Sequence, residues 1–268
     1  MPIQGRTSVL WRLLIAALYV FLLGPVAVVF LVSFEANSFL AFPPQELSLR
    51  WYAALVANRH FVEGFRVSLT LGLLAAVAAS VLGVPAALAI ARRRFPGRDA
   101  LTTFFILPLM VPSIVLGLAL LLLMAPLRLT ATYPGLLAAH LVVTLPYVIR
   151  TVATSLLTLS PEYEGAAMTL GATPWQVFRR ITLPLIQPGV IAGAALAFLV
   201  SFDEVVISLF LVGPRLTTLP VEVFRYVQDR ADPQAAALSV VLIALSVGIM
   251  LLIERALGLR RILEYRTR

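Results

Sequence analysis

The most informative stretch of this 268-residue chain reads EGAAMTLG at residues 164–171 and, after nine intervening residues, ITLP at residues 181–184. It is polar at its start and rich in small residues, and it lies between two long apolar runs near residues 134–158 and 187–212. A run of roughly 20 apolar residues crosses the hydrocarbon core of a bilayer as a helix. The stretch is therefore predicted to be a loop on one aqueous side of a membrane, where another protein can bind the chain.

The composition around this loop is that of an integral membrane protein, with 60% hydrophobic and 13% charged residues and a mean hydropathy of +0.97. Only helices and closed barrels satisfy their backbone polar groups in hydrocarbon, and the alternating pattern of barrel strands is absent. We therefore predict an all-α membrane protein with six transmembrane helices that form one domain over residues 1–268. The predicted spans lie near residues 11–33, 65–91, 101–126, 134–158, 187–212 and 234–258.

Arginine sets the predicted orientation, because all 21 Lys or Arg residues are arginine. The arginines concentrate after the second span, in the loop after the fourth span and near both termini. Positive charge marks the cytoplasmic side of a membrane protein, so both termini and the loop at about residues 160–185 are expected to be cytoplasmic. The net charge of +8 is explained by this topology and by anionic lipid headgroups rather than by nucleic acid.

Two short helices are predicted within the loop. Ser160 is a typical N-cap residue, Pro161 suits the first helical position, and Gly171 suits a helix end. Thr173 and Gln176 have the spacing of a capping box, so a second helix should begin almost immediately. The first helix is too short to be stable alone and needs a packing partner.

An apolar stripe runs along the first loop helix at Tyr163, Ala166, Ala167 and Leu170, which have i, i+3, i+4 and i+7 spacing. Two interpretations remain open for it. The loop folds back against the underside of its own bundle, or the helix docks into a groove of another protein, for which small residues allow a close approach.

The loop resembles the EAA loop of permease subunits of binding-protein-dependent ABC importers, in which Glu-Ala-Ala, three residues, Gly, nine residues and Ile-x-Leu-Pro recur. Gly165 occupies the position of the motif glutamate, and Glu164 lies one residue early. The other motif positions are filled by Ala166, Ala167, Gly171, Ile181, Leu183 and Pro184. The resemblance implies a type I importer permease fold, with a coupling helix between helices 4 and 5. Glu164, Gly165 and Leu170 are expected to take part in coupling to an ATPase together with these motif residues.

The resemblance also implies partners and a location. The expected partners are a pair of ATPase subunits that hold ATP and Mg at the cytoplasmic face, a second homologous permease and an extracytoplasmic binding protein. The chain is expected in a bacterial-type inner membrane, surrounded by the lipid bilayer. It contains no lysine and no Walker A motif, so it should have no ATPase activity of its own. With no cysteine and two histidines, it is expected to bind no metal or other cofactor.

A second resemblance bears on the cargo. SFDEVVIS at residues 201–208, Gly213-Pro214 and TLP at residues 218–220 resemble the spermidine/putrescine permease subgroup. This resemblance implies a polyamine or a related small solute that a binding protein delivers. The alternative cargoes are an aminophosphonate, an inorganic anion and iron.

Asp203 and Glu204 are the candidate residues of the substrate path, because ionisable side chains inside a span are costly and normally face a cavity or a partner. Placed on a continuous fifth helix, they point about 100° apart, so one should face the path and the other a neighbouring helix. A structural alternative pairs His140 of the fourth helix with one of these acids. A functional alternative is an ion-coupled secondary transporter that uses one of them as its proton site.

Overall fold

The computed structural model describes residues 9–230 and 232–257, which are helical throughout apart from loops and two isolated β-bridges. This confirms the all-α prediction. The helices are α1 Val9–Val32, α2 Arg50–Ala57, α3 Arg59–Arg92, α4 Arg98–Ile106, α5 Ser113–Met124, α6 Tyr133–Thr158, α7 Pro161–Thr169, α8 Pro174–Val177, α9 Leu183–Phe202, α10 Val206–Leu211, α11 Leu219–Asp229 and α12 Pro233–Leu257.

Within the described residues, five helical stretches are long and apolar enough to cross a membrane, and the number is six if the bent pair of α4 and α5 is one broken span. These stretches occur in the predicted order. The largest differences in boundaries are that α3 begins at Arg59, and that the helix of the fifth span begins at Pro174 and ends at Phe202. The end of the sixth predicted span, at residue 258, lies outside the described residues, as do both termini and their arginines.

The third predicted span, at residues 101–126, is not one helix. α4 and α5 are bent by 105° at a short break, where Leu107–Leu109 forms a 3₁₀ turn and Pro112 precedes α5. Pro108 and Pro112 cannot donate a backbone hydrogen bond, and each ring clashes with the preceding turn. Two such residues within five positions break the helix rather than kink it.

The described residues divide into two compact units. One contains the chain up to Phe61 together with Val223–Leu245, and the other contains Val62–Glu222 and the chain from Ser246 onward. The single domain over residues 1–268 stays a prediction.

In the first unit, a tight turn is organised around Glu35. Its carboxylate accepts hydrogen bonds from the backbone N–H of Asn37 at 3.0 Å and of Gln45 at 2.9 Å. The indole N–H of Trp51 donates to the Glu35 carbonyl at 2.8 Å. The backbone donors of Asn37 and Gln45 lower the pKa of the Glu35 carboxyl, because they stabilise its charged form. The turn after the first span is therefore built on an ionised acid.

In the second unit, α6 packs along α9. Gly189 and Gly193 allow this close approach, because a Cβ at either position would overlap the side chain of Ser155 or Thr151 on α6. α10 packs on α5 and α6. A buried core within this unit joins α3, α5, α6 and α10 and contains Val67, Leu71, Leu120, Met124, Leu136, Ala139, Val143, Ile207, Leu211 and Leu216.

Candidate coupling loop and intramembrane acids

The first loop helix forms where the sequence predicts it, as α7. The Ser160 hydroxyl accepts a hydrogen bond from the backbone N–H of Glu162 at 3.3 Å, and Pro161 occupies the first turn. Gly171 ends the turn after the helix with a φ of +86°, a left-handed conformation that glycine adopts without strain. The length of the helix is therefore set by its own caps.

The second loop helix, α8, has the predicted capping box. Thr173 Oγ1 accepts from the backbone N–H of Gln176 at 3.3 Å, and Gln176 Oε1 accepts from the backbone N–H of Thr173 at 2.8 Å. The chain continues into α9 through a π-helical turn at Phe178–Thr182. Pro184 has no N–H for the carbonyl of Arg180, and its ring would crowd that carbonyl, which accounts for the wider turn.

An exposed apolar surface covers one side of the loop. Tyr163 is 61% exposed, Met168 52%, Leu170 88% and Trp175 65%. Ala166 is also exposed, whereas Ala167 is half-buried. Exposed apolar patches of this kind are typical of surfaces that contact another protein or a membrane.

The opposite side of α7 folds back onto the chain through Glu164. Arg92 Nε, at the end of α3, lies 3.1 Å from Glu164 Oε2, and the hydroxyl of Thr182 donates to Glu164 Oε1 at 2.8 Å. The Arg92 guanidinium also donates to the Leu159 carbonyl at 3.0 Å. We call Arg92, Glu164 and Thr182 the Glu164 cluster. The fold-back interpretation is therefore confirmed for the side of α7 that carries Glu164, and docking of the exposed side stays a prediction.

The remaining predicted coupling residues lie at the two ends of the loop. Gly165 faces open space, because a Cβ built there meets no atom within 4 Å. Ile181 belongs to the π-helical turn, and Leu183 and Pro184 begin α9. Ile181 and Leu183 are half-buried, whereas Pro184 is exposed. These three residues connect the loop to the fifth span.

The two intramembrane acids do not lie on a continuous helix, contrary to the prediction. α9 ends at Phe202 and α10 begins at Val206, so both acids lie in the break between them. Glu204 Oε1 accepts from the backbone N–H of Ile207 at 3.0 Å and caps α10. Asp203 is exposed, and in the described part of the chain no hydrogen bond or ion pair reaches its carboxylate. Asp203 is therefore the acid that is free to meet a ligand.

The expected pairing of His140 with one of these acids is wrong. His140 is fully buried, and its Nδ1 lies 2.7 Å from Ser201 Oγ while its Nε2 lies 3.1 Å from Ser208 Oγ. Ser201 precedes the break and Ser208 follows it, so the imidazole bridges the two segments. We call these three residues the His140 cluster. An ionised carboxylate beside the buried imidazole would lose its hydration, which costs free energy. The two uncharged hydroxyl groups can form hydrogen bonds with both ring nitrogens without that cost.

A groove with a mixed, mainly apolar lining lies between α6 and α9 and has a volume of about 500 Å³. Its lining includes Arg150 and the hydroxyl-bearing residues Tyr147, Thr151, Thr154 and Ser155. The α6 residues of this lining have i, i+3, i+4, i+7 and i+8 spacing, so their common face was a signal in the sequence, whereas the packing of α9 beside it was not. In the described residues, no group of three His, Asp, Glu or Cys side chains is arranged to hold a metal ion.

Comparison with known proteins identifies the family. Residues 79–263 match the model of the binding-protein-dependent transport system inner membrane component. The chain belongs to this family. It is 37% identical over 248 residues to the putrescine transport system permease protein PotI of Escherichia coli K12, covering 90% of this chain and 88% of PotI. It is 32% identical over 230 residues to the spermidine/putrescine permease PotC of the same strain, covering 86% of this chain and 87% of PotC.

The fold is also that of a solved transporter. A crystal structure of a bacterial alginate ABC transporter in complex with a periplasmic protein matches with a TM-score of 0.72 at 18% identity, covering 93% of this chain and 94% of that chain. The chain is thus a multi-pass permease subunit of an ABC importer in the inner membrane, with polyamine permeases among its relatives. This confirms the family, the type I permease fold and the transport role predicted from the sequence.

Proposed function

We propose that this chain forms half of the translocation path of an ATP-driven importer and that α7 is its coupling helix. In this arrangement, a second, homologous permease completes the path, and an extracytoplasmic binding protein delivers the solute. Two ATPase subunits hold ATP and Mg at the cytoplasmic face, where both termini of this chain also lie. The support for the orientation is the distribution of arginine, which concentrates on the side of the loop.

The observation that carries the coupling role is the two-sided character of α7. Its inner face is tied to α3 and to the start of α9 through Glu164, and its outer face presents Tyr163 and Leu170 to solvent. A short helix with an apolar outer face fits helix-in-groove docking. A secondary transporter has no use for such a surface, so this alternative leaves the most exposed apolar part of the loop without a role.

For the cargo, we propose a small solute that carries amino groups, with polyamines as the first candidates. Asp203 supports this proposal, because an exposed carboxylate within a span offsets the cost of taking an ammonium group out of water. Glu204 already accepts a backbone hydrogen bond, so its role is structural. It stabilises the break between α9 and α10, where Asp203 stays exposed. The relatives PotI and PotC, which are named for putrescine and spermidine/putrescine, agree with this choice.

The decisive experiment purifies the tagged chain from its native membrane in mild detergent and identifies the proteins that accompany it by mass spectrometry. We expect an ATPase and a second permease to be recovered. Leu170→Asp should lose the ATPase, because a carboxylate at the most exposed apolar position opposes docking. Ala100→Asp is the matched control, since Ala100 is also exposed on the predicted cytoplasmic side but lies on α4.

The same preparation, reconstituted in proteoliposomes with its binding protein, tests the cargo. We expect ATP-dependent uptake of radiolabelled putrescine or spermidine, reduced by Asp203→Asn. Uptake of 2-aminoethylphosphonate, an inorganic anion or iron in place of polyamines would overturn the cargo assignment. A homomeric preparation that transports without ATP would overturn the coupling role and favour a secondary carrier.

A further inference from the structure

The Glu164 cluster joins three elements that are distant in the sequence. Arg92 is the last residue of α3, Glu164 lies in the first turn of α7, and Thr182 ends the π-helical turn before α9. The side chains of Arg92 and Glu164 are only 20% and 16% exposed, and Thr182 is buried. The contact is therefore partly shielded from solvent, at the edge of an exposed helix.

The Glu164 carboxylate has two partners: Oε2 forms an ion pair with Arg92 Nε, without hydrogen-bond geometry, and Oε1 accepts a hydrogen bond from the hydroxyl of Thr182. The same guanidinium holds the Leu159 carbonyl, next to the N-cap of α7. α7 has no buried residue of its own, so apolar packing does little to fix its position. The Glu164 carboxylate is thus the main side-chain contact that fixes α7 to α3 and to the start of α9.

We propose that Arg92 is a positioning residue for energy coupling: through Glu164 and Thr182 it makes α3, α7 and the start of α9 move as one body. This inference rests on the proposed function, because it assigns a mechanical role to a helix that an ATPase displaces. A displaced α7 without this attachment would tilt on its flanking loops, and little of its motion would reach the spans.

The same geometry explains the position of the acid. Glu164 points inward, whereas position 165 faces open space about 100° around the helix. Position 165 lies about 160° around the helix from Tyr163, so an acid there would not share the exposed face of Tyr163 and Leu170. Glu164 is held by Arg92 and Thr182, so it does not substitute for the missing motif glutamate.

The test uses the intact transporter, reconstituted with its ATPase, second permease and binding protein, and measures both ATP hydrolysis and solute uptake. Arg92→Gln and Glu164→Gln should keep the ATPase bound and active but lower the solute transported per ATP by about threefold to fivefold, the order expected for one ion pair. Thr182→Val, which removes a single hydroxyl, should give a smaller loss. Thr182→Val also keeps the inference testable if Arg92→Gln or Glu164→Gln does not assemble with the ATPase.

Two further variants separate a specific contact from general damage. The exchange Arg92→Glu with Glu164→Arg should recover part of the lost stoichiometry, because it restores opposite charges at the same site. Arg93→Gln, at an exposed neighbouring arginine, should behave as the wild type. Wild-type stoichiometry in Arg92→Gln, Glu164→Gln and Thr182→Val would overturn this inference and leave the importer intact. Absence of ATP-dependent uptake in the wild type itself would instead overturn the proposed function.

Discussion

The His140 cluster and the Glu164 cluster both connect distant segments of the chain, but they use different chemical groups to do so. Each joins segments that are far apart in the sequence through short polar contacts, at 2.7 and 3.1 Å in the first and at 2.8 and 3.1 Å in the second. The His140 cluster lies within the spans and uses an imidazole and two hydroxyls. The Glu164 cluster lies at the loop and uses an ion pair. The ion pair thus lies near water, whereas the contact within the spans is made by uncharged hydrogen-bonding groups.

The cost of desolvation explains this difference. Removal of an ionised group from water costs several kcal/mol, and a partner repays the cost only with excellent geometry. A hydroxyl or a neutral imidazole costs far less and is satisfied by a single hydrogen bond. The one intramembrane acid that no hydrogen bond or ion pair reaches in the described residues, Asp203, is exposed rather than buried. A functional reason for it is therefore more credible than a structural one.

The largest effect is expected from His140→Ala, which leaves the hydroxyls of Ser201 and Ser208 without their partner in a buried site. We expect a loss of about 2 to 3 kcal/mol in the free energy of unfolding, from two lost hydrogen bonds and the cavity left by the ring. Reversible SDS titration in mixed micelles, followed by circular dichroism, measures this change.

His60→Ala is the control for this substitution, because His60 is exposed at the start of α3 and its removal should change stability by no more than about 0.5 kcal/mol. Equal stability of the two variants would mean that the His140 cluster contributes nothing, and the comparison between the clusters would fail.

Salt concentration should weaken the Glu164 cluster but not the His140 cluster, and the size of this effect is expected to be intermediate among the predictions. Between about 0.1 M and 1 M NaCl the Debye length falls from about 10 Å to 3 Å, which weakens a partly exposed ion pair but not a buried neutral contact. Local opening of the loop can be followed by tryptic cleavage after Arg179 and Arg180, both of which are exposed. Wild-type cleavage should accelerate with salt, whereas cleavage of Glu164→Gln should be faster at low salt and nearly insensitive to it. A parallel response of the two proteins would contradict an electrostatic role for the pair.

The smallest effect is expected from Gly165→Ala. The new Cβ meets no atom within 4 Å, and alanine is favoured over glycine in a helix by about 1 kcal/mol. We expect slower tryptic cleavage of the loop, unchanged salt sensitivity and unchanged recovery of the ATPase. Faster cleavage would show that glycine is needed at this position for a conformation other than that of α7.

The loop was predictable because its signals are local. Ser160, Thr173 and Gln176 make their capping bonds to residues two or three positions away, and Gly171 needs only its own φ. Such contacts depend on the order of a few residues, so the sequence indicated both helix starts and the helix end. The apolar runs of the spans were predictable for a similar reason, since each depends on local hydropathy, but the breaks within the third and fifth runs were not.

The two clusters were not predictable in the same way. The contacts of His140 with Ser201 and Ser208 depend on how α6 packs against α9 and α10, and the spacing of one segment does not reveal this. One signal was available, because serines at 201 and 208 are two helical turns apart and flank the acids on both sides. The break at the acids was missed because the run reads as apolar helix on either side of them.

The π-helical turn at Phe178–Thr182 makes loop length a matter of angular register. Such a turn holds one residue more than an α-helical turn, so it takes up that residue without the rotation of about 100° that an extra residue adds to a regular α-helix. The wider turn therefore lets α8 and α9 follow one another as one helical stretch while Thr182 faces Glu164. The nine-residue interval between Gly171 and Ile181 thus includes most of a turn whose width, rather than its number of residues alone, sets how the loop meets the fifth span.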